Sequence, residues 1–186
     1  MTVSARDRIL QTAGDLFFQY GYRAIGIDMI IAQSGVAKAT LYRHFPAKDD
    51  LIAAYLEETN RRFWSWFDAA AAQGETPRDQ LVRVFEALQK LVTTPTCYGC
   101  PFLMAATEFP DRDHPGHLVA RRNKDAVRAR FQAMCEAASL ADAPALADHL
   151  LMLMDGAFMA VRLYGIDNPA HEIAAVVQRL IACAGV

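Results

Sequence analysis

The sequence predicts an all-α protein: a small three-helix N-terminal domain followed by a larger helical domain, with about nine helices in all. Three observations carry that prediction. Apolar residues recur at spacings of three and four through most of the chain, as one face of a helix requires. No stretch keeps the strict alternation of a half-buried strand. Glycine and proline fall between the periodic segments, where they stop helices.

Taken in order, Ser4 with Asp7 three residues later resembles a capping box. Ile9, Ala13, Leu16, Phe17 and Tyr20 then make one apolar face, and Gly21 ends the helix. A short helix follows over about 28–34, with Ile27, Ile30 and Ile31 inward and Gly35 as its stop. Another runs over about 38–44, ended by Pro46, because the residue before a proline disfavours helical dihedrals. A long helix from Lys48 carries the stripe Leu51, Ile52, Tyr55, Leu56, Phe63 and Phe67. Thr76-Pro77-Arg78-Asp79 is a strong helix start, with a hydroxyl cap, a first-position proline and an early acid. Further helices are expected near 102–109, 117–138, 145–164 and 170–184, punctuated by Pro144, Gly165 and Pro169.

Composition narrows the function. Just over half of the 186 residues are hydrophobic, enough for a sizeable core. The longest unbroken apolar runs are too short to span a bilayer, and the opening Met-Thr-Val-Ser-Ala-Arg-Asp-Arg lacks the apolar stretch of a signal peptide. A cytoplasmic location without a membrane partner is therefore expected. Net charge is −2, yet through residue 48 six Lys and Arg face three Asp. A locally basic end on an acidic chain fits an electrostatic footprint confined to one module. There is no G-x-x-x-x-G-K-[ST], H-E-x-x-H or G-x-S-x-G, so no enzyme, cofactor or metal is expected.

Residues 27–51, IDMIIAQSGVAKATLYRHFPAKDDL, are the most informative. Two short helices flank Gly35-Val36-Ala37, the pattern of a helix-turn-helix. On a helical wheel Leu41 and Phe45 share one side, with Ala39 and Arg43 opposite and Thr40 and Tyr42 on the flanks. A helix in a DNA major groove needs this layout. Ala39 permits close approach, Arg43 can fork onto guanine O6 and N7, and Thr40 can meet a base. Tyr42 and His44 are placed for phosphates. Lys48, at the start of the next helix, can grip a phosphate together with free backbone N–H groups.

GVAKATLYRHFPAKDDL, with the preceding FFQYGYRAIGID, resembles the N-terminal region of the tetracycline-repressor (TetR) family over about residues 6–56. The resemblance implies a helix-turn-helix DNA-binding domain over 1–50 and a ligand-binding and dimerisation domain over 51–186. It implies a homodimeric repressor on a palindromic double-stranded operator, released by a small-molecule effector. Carried over by position, the DNA contacts are Lys38, Ala39, Thr40, Tyr42, Arg43, His44 and Lys48. Where the family often caps the first short helix with hydroxyl residues, this chain has Ile25-Gly26, so only the Gly26 N–H remains to meet a phosphate there.

Family pockets lie between the middle helices. The candidates here are Trp64, Phe67, Phe85, Phe102, Met104, Phe109, Phe131, Met134 and Met154, a set that suits an apolar or aromatic effector and equally an ordinary core. The expected dimer interface is Leu150, Phe158, Val161, Ile173, Val177 and Leu180, on two helices that would form a four-helix bundle across a two-fold axis, although an intrachain core could absorb part of these surfaces. Arg121, Arg122, Lys124, Arg128 and Arg130 read as a solvated basic face. Cys97-Tyr98-Gly99-Cys100 is open to three readings: structural, a redox or electrophile sensor, or two ligands of a metal with His114 and His117 nearby. A helical protein-interaction module is the remaining alternative.

Overall fold

The computed structural model describes residues 4–185. Nine α-helices are present among them: α1 (Ala5–Tyr20), α2 (Ile27–Ser34), α3 (Lys38–His44), α4 (Lys48–Ala71), α5 (Pro77–Val92), α6 (Pro101–Glu108), α7 (Pro115–Ala137), α8 (Ala143–Tyr164) and α9 (Ile173–Cys183). A 3₁₀ turn, Pro169–Glu172, precedes α9. There is no strand among the described residues.

The local signals act at their expected positions. The Ser4 hydroxyl oxygen accepts from the Asp7 N–H and caps α1. The Asp7 carboxylate receives the Ser4 hydroxyl rather than reaching back to the backbone, so only half of a capping box forms. Thr76 caps α5 through the Asp79 N–H, and the Asp79 carboxylate accepts from Glu75 N. Pro144 and Pro169 differ from expectation: each lies in the first turn of its helix instead of between helices. A missing N–H costs nothing there.

The chain forms two compact units. One unit is the N-terminal segment through Arg61 together with Pro101–Arg121. The other is Arg62–Cys100 with the segment from Arg122 onward. α6 and the first turns of α7 therefore belong with the first unit, although they lie far from it in sequence.

In the first unit, α1 packs on α2 and α3. Its core holds Ile9, Ala13, Phe17, Ile30, Leu41, Leu51, Ile52 and Leu56, each fully buried. Tyr22 is fully buried too. Its hydroxyl donates to the Pro101 carbonyl at 2.9 Å. Glu108 accepts from the Tyr22 and Arg23 amides at 3.0 and 2.7 Å. One carboxylate from α6 thus ties down the turn between α1 and α2.

In the second unit, α5 packs on α8, α9 and the 3₁₀ turn. Phe67, Phe85 and Phe131 are fully buried. The Phe131 ring lies 5.6 Å from each of the other two, stacked on Phe85. Asn168 is buried and fastens a corner: its Nδ2 donates to the Val92 and Gly165 carbonyls at 2.9 and 2.8 Å. α8 is apolar and long enough to cross a membrane by length and composition, a property that unbroken runs missed because spaced charges interrupt it. Only 39% of its most apolar window is buried.

Candidate nucleic-acid interface

Gly26 precedes α2 in extended conformation, and no side chain caps that helix. Gly35 ends α2 with φ +66°, a left-handed conformation that L side chains rarely adopt, while its N–H returns to the Ile31 carbonyl. The turn through Val36, itself buried, leads directly into α3.

On α3, Leu41 is fully buried and Phe45, just past its end, is 3% exposed. Ala39, Tyr42 and Arg43 are exposed, while Thr40 and His44 are half-buried. The wheel's division between core side and outer side is thus present in three dimensions. Ala39 and Arg43 stand one turn apart on the outer side, a small residue beside a guanidinium.

Lys38 is exposed but not idle. Its ammonium pairs with the Asp28 carboxylate of α2 at 3.2 Å, with both side chains largely in solvent. Lys48 is half-buried at the first turn of α4. Burial lowers its pKa, and the charges of Asp49 and Glu108 oppose that shift. Asp49 faces His114 Nε2 at 3.4 Å, and His114 Nδ1 accepts the Gly116 N–H, with its ring stacked 3.9 Å from Phe109. Acidic groups therefore flank two of the cations expected to meet phosphate. Asp28 and Asp49 stand in the helix-turn-helix sequence itself, but their pairings and the approach of Glu108 are not legible from it.

The other expected sites separate. Phe102, Met104 and Phe109 are buried in the first unit, and Phe109 packs 5.7 Å from Tyr22. Trp64, Phe67, Phe85, Phe131, Met134 and Met154 lie in the second. Trp64 is half-buried, 5.5 Å from Phe67 and beneath the Arg130 guanidinium. None of the nine lines the cleft of about 240 Å³ formed by Thr94, Pro95, Cys97, Tyr98, Val161, Arg162, Gly165 and Ile166.

The expected dimer residues lie largely within the chain's own core. Leu150, Phe158, Val161, Ile173 and Val177 are all buried inside their own chain, and Leu180 is half-buried. α8 is apolar on both sides, and its more regular stripe serves the intrachain core. The exposed apolar side chains are Met152, Met159, Leu163 and Tyr164 of α8, with Ile166 after it and Val176 of α9. The basic run on α7 is also less free than a solvated face: Lys124, Arg128 and Arg130 pair with Asp155, Asp148 and Asp68. His114 and His117 take local partners, Asp49 and the Phe109 carbonyl. Among the described residues, no three His, Cys, Asp or Glu converge as metal ligands.

A helix-turn-helix with an exposed Ala-Arg face, joined in one chain to a larger helical unit, defines a class by its architecture: the helical DNA-binding protein with a second helical unit. Comparison with known proteins narrows it. The pattern of the family described as bacterial regulatory proteins, tetR family, matches residues 9–55. That of the tetracyclin repressor-like C-terminal domain matches residues 77–177. The chain belongs to the TetR family of transcriptional regulators. It is similar to a TetR-family regulator of Streptomyces coelicolor with a TM-score of 0.91 and 32% identity, covering 98% of this chain and 96% of that one. It is 26% identical to the transcriptional repressor ComR of Escherichia coli over 97% of this chain and 85% of the relative. An uncharacterized regulator of Mycobacterium tuberculosis is 35% identical over 44% of this chain, a match spanning 40% of that protein's length.

Proposed function

We propose that the chain is a cytoplasmic homodimeric repressor that holds a palindromic operator through two copies of α3 and leaves it when a small apolar or aromatic effector binds. The observation that carries the DNA half is the outer face of α3. Arg43 is exposed one turn from the small Ala39, opposite the buried Leu41 and Phe45. A guanidinium so presented reads guanine, while Tyr42, His44, Lys38 and Lys48 grip phosphates on either side and Thr40 meets a base edge. The effector half is supported by the match of residues 77–177 to the tetracyclin repressor-like C-terminal domain. The dimer is supported by the exposed apolar side of α8.

Selection of operators from a random duplex library tests the reading. Arg43→Ala is expected to relax preference at one base pair per half-site, a loss of about 1–3 kcal/mol in discrimination. Lys48→Ala is expected to weaken all sequences alike and to reduce the salt dependence by about one phosphate contact. Unchanged base preference in Arg43→Ala would overturn the assignment of α3 to the groove.

A further inference from the structure

The 97–100 segment leaves α5 in a turn in which Cys97 N donates to the Thr94 carbonyl at 3.1 Å. Gly99 then adopts φ +106° and lies against α8. A Cβ there would stand 3.1 Å from the Phe158 carbonyl oxygen and 3.2 Å from Arg162 Cβ, so the loop's approach requires glycine. Arg162 Nη1 donates back to the Tyr98 carbonyl at 3.3 Å. Asn168 holds the end of α5 and the end of α8 together beneath this loop. The cleft of about 240 Å³ between those ends is lined by Cys97 and not by Cys100. The two thiols, three residues apart, are therefore not equivalent. Both are buried, Cys97 at 8% and Cys100 at 3% exposed, and of the two only Cys97 lines the cleft.

Cys100 has company. The Lys124 ammonium donates to the Asp155 carboxylate, and Cys100 stands close enough to raise the ammonium's pKa. Lys124 is itself mostly enclosed, with 18% of its side chain exposed. Burial alone would lower its pKa, yet Cys100 and Asp155, through charge and hydrogen bonds, outweigh burial and hold it above the usual lysine value. A cation held by the Asp155 carboxylate thus stands beside one thiol of the C-x-x-C. A purely structural thiol pair needs neither group, since buried cysteines behave as small apolar side chains.

We propose that Cys97 and Cys100 are a reversible peroxide-driven dithiol–disulfide switch, in which Cys97 meets the oxidant in the cleft and Lys124 positions Cys100 to resolve it. The Cys97 thiol gives its proton to water and the thiolate attacks the distal oxygen of a hydroperoxide; the S–O bond forms, the O–O bond breaks, and the leaving oxygen takes up a proton, so the products are a Cys97 sulfenic acid and an alcohol, or water from hydrogen peroxide. The Cys100 sulfur then attacks the Cys97 sulfur. The S–S bond forms, and the sulfenic oxygen leaves with the Cys100 proton as water. The peroxide is reduced and the two thiols together supply its two electrons. Burial pushes the Cys97 thiol up, against a lowering hydrogen bond from Gly99, so the resting group is protonated and the switch answers to high peroxide. The output has a covalent route. The residue after Cys100 is Pro101, whose carbonyl receives the Tyr22 hydroxyl and whose helix supplies Glu108 to the turn before α2.

The test uses the full chain carrying Cys183→Ser, which removes the exposed thiol. It is exposed to hydrogen peroxide, its remaining thiols are alkylated, and its peptides are mapped by mass. Cys97 and Cys100 are expected to lose alkylation together and to regain it with dithiothreitol. Cys100→Ser is expected to accumulate a Cys97 sulfenic acid captured by dimedone. Lys124→Met is expected to form the disulfide about tenfold more slowly. Both thiols remaining alkylatable at peroxide doses that oxidise Cys135 would overturn the proposal without recourse to any variant at the pair. So would a Cys100→Ser chain that gives no dimedone adduct. The regulatory output rests on the DNA-binding reading. Oxidised protein is expected to bind its operator about tenfold more weakly than reduced protein, and equal binding by the two would overturn the switch. Failure of the reduced protein to bind any duplex would instead overturn the DNA-binding reading and leave the thiol chemistry standing.

Discussion

Lys38 faces two possible partners. In the free protein its ammonium rests on Asp28, and both groups are largely exposed. Such pairs contribute little, about 0–1 kcal/mol, because water already solvates each charge. Exchange of the carboxylate for a DNA phosphate is therefore cheap, but Asp28 then remains as a negative charge beside the backbone it faces. Asp28→Asn is expected to tighten binding to any duplex about threefold and to steepen its salt dependence, as measured by fluorescence anisotropy across a salt series. A variant that bound more weakly would mean that Asp28 holds Lys38 in its working position. Cys135 offers a different test. Burial, with the charge of Glu136 adding to it, raises its thiol from the ordinary 9.0 to about 11. The fold thus favours the protonated form. The resulting stability is whole below pH 9.0 and is lost as pH rises toward about 11. Thermal melts are expected to fall across that window more steeply for the native chain than for Cys135→Ala.

At the scale of the element, the carboxylate of α6 that holds the turn after α1 makes a sharp prediction. Glu108 is the acceptor for both the Tyr22 and Arg23 amides, at 3.0 and 2.7 Å. Hydrogen bonds to a charged acceptor contribute about 1.5–3 kcal/mol each, and the part-buried Tyr22 amide is costlier to leave without one than the exposed Arg23 amide. Glu108→Ala is expected to lower stability by about 3 kcal/mol, and Glu108→Gln, with one oxygen left, by about half as much. Chemical denaturation reads both. Equal losses would show that the charge, not the acceptor geometry, matters. This contact also marks the limit of what the sequence discloses. The ends of α1, α2 and α5 were legible because Ser4, Gly35 and Thr76-Pro77 act on atoms three or four residues away. The outer face of α3 was legible because Leu41 and Phe45 define its opposite. Glu108 and Tyr22 lie 86 residues apart, and no local pattern links them. The same holds for Lys124 with Cys100, and for the assignment of α6 to the first unit instead of the second.

At the scale of the whole molecule, the question is which side of α8 a second copy covers. Periodicity could not decide it, because Leu150, Met154, Phe158 and Val161 make one stripe while Met152, Met159 and Leu163 make another. Burial decides where the first stripe goes: Phe158 is 7% exposed within a single chain, whereas Met159 is 46% and Leu163 73% exposed. Gly156 lies on the open side with nothing within 4 Å of where a Cβ would stand, so a partner's helix could approach closely there. Exposed apolar area of this extent on one helix is unusual for a monomer and fits a self-complementary interface about a two-fold axis. Neighbouring substitutions should then behave in opposite ways. Met159→Glu or Leu163→Glu is expected to give a folded monomer by sedimentation, with an unchanged helical spectrum and much weaker operator binding, since each head then binds its half-site alone. Phe158→Ala is expected to cost about 3–5 kcal/mol of stability in each chain, while its sedimentation below the unfolding range remains that of a dimer. If Met159→Glu and Leu163→Glu both stayed dimeric while Phe158→Ala dissociated without unfolding, the interface would lie on the buried stripe, and the isolated chain would have to repack α8 before it could associate.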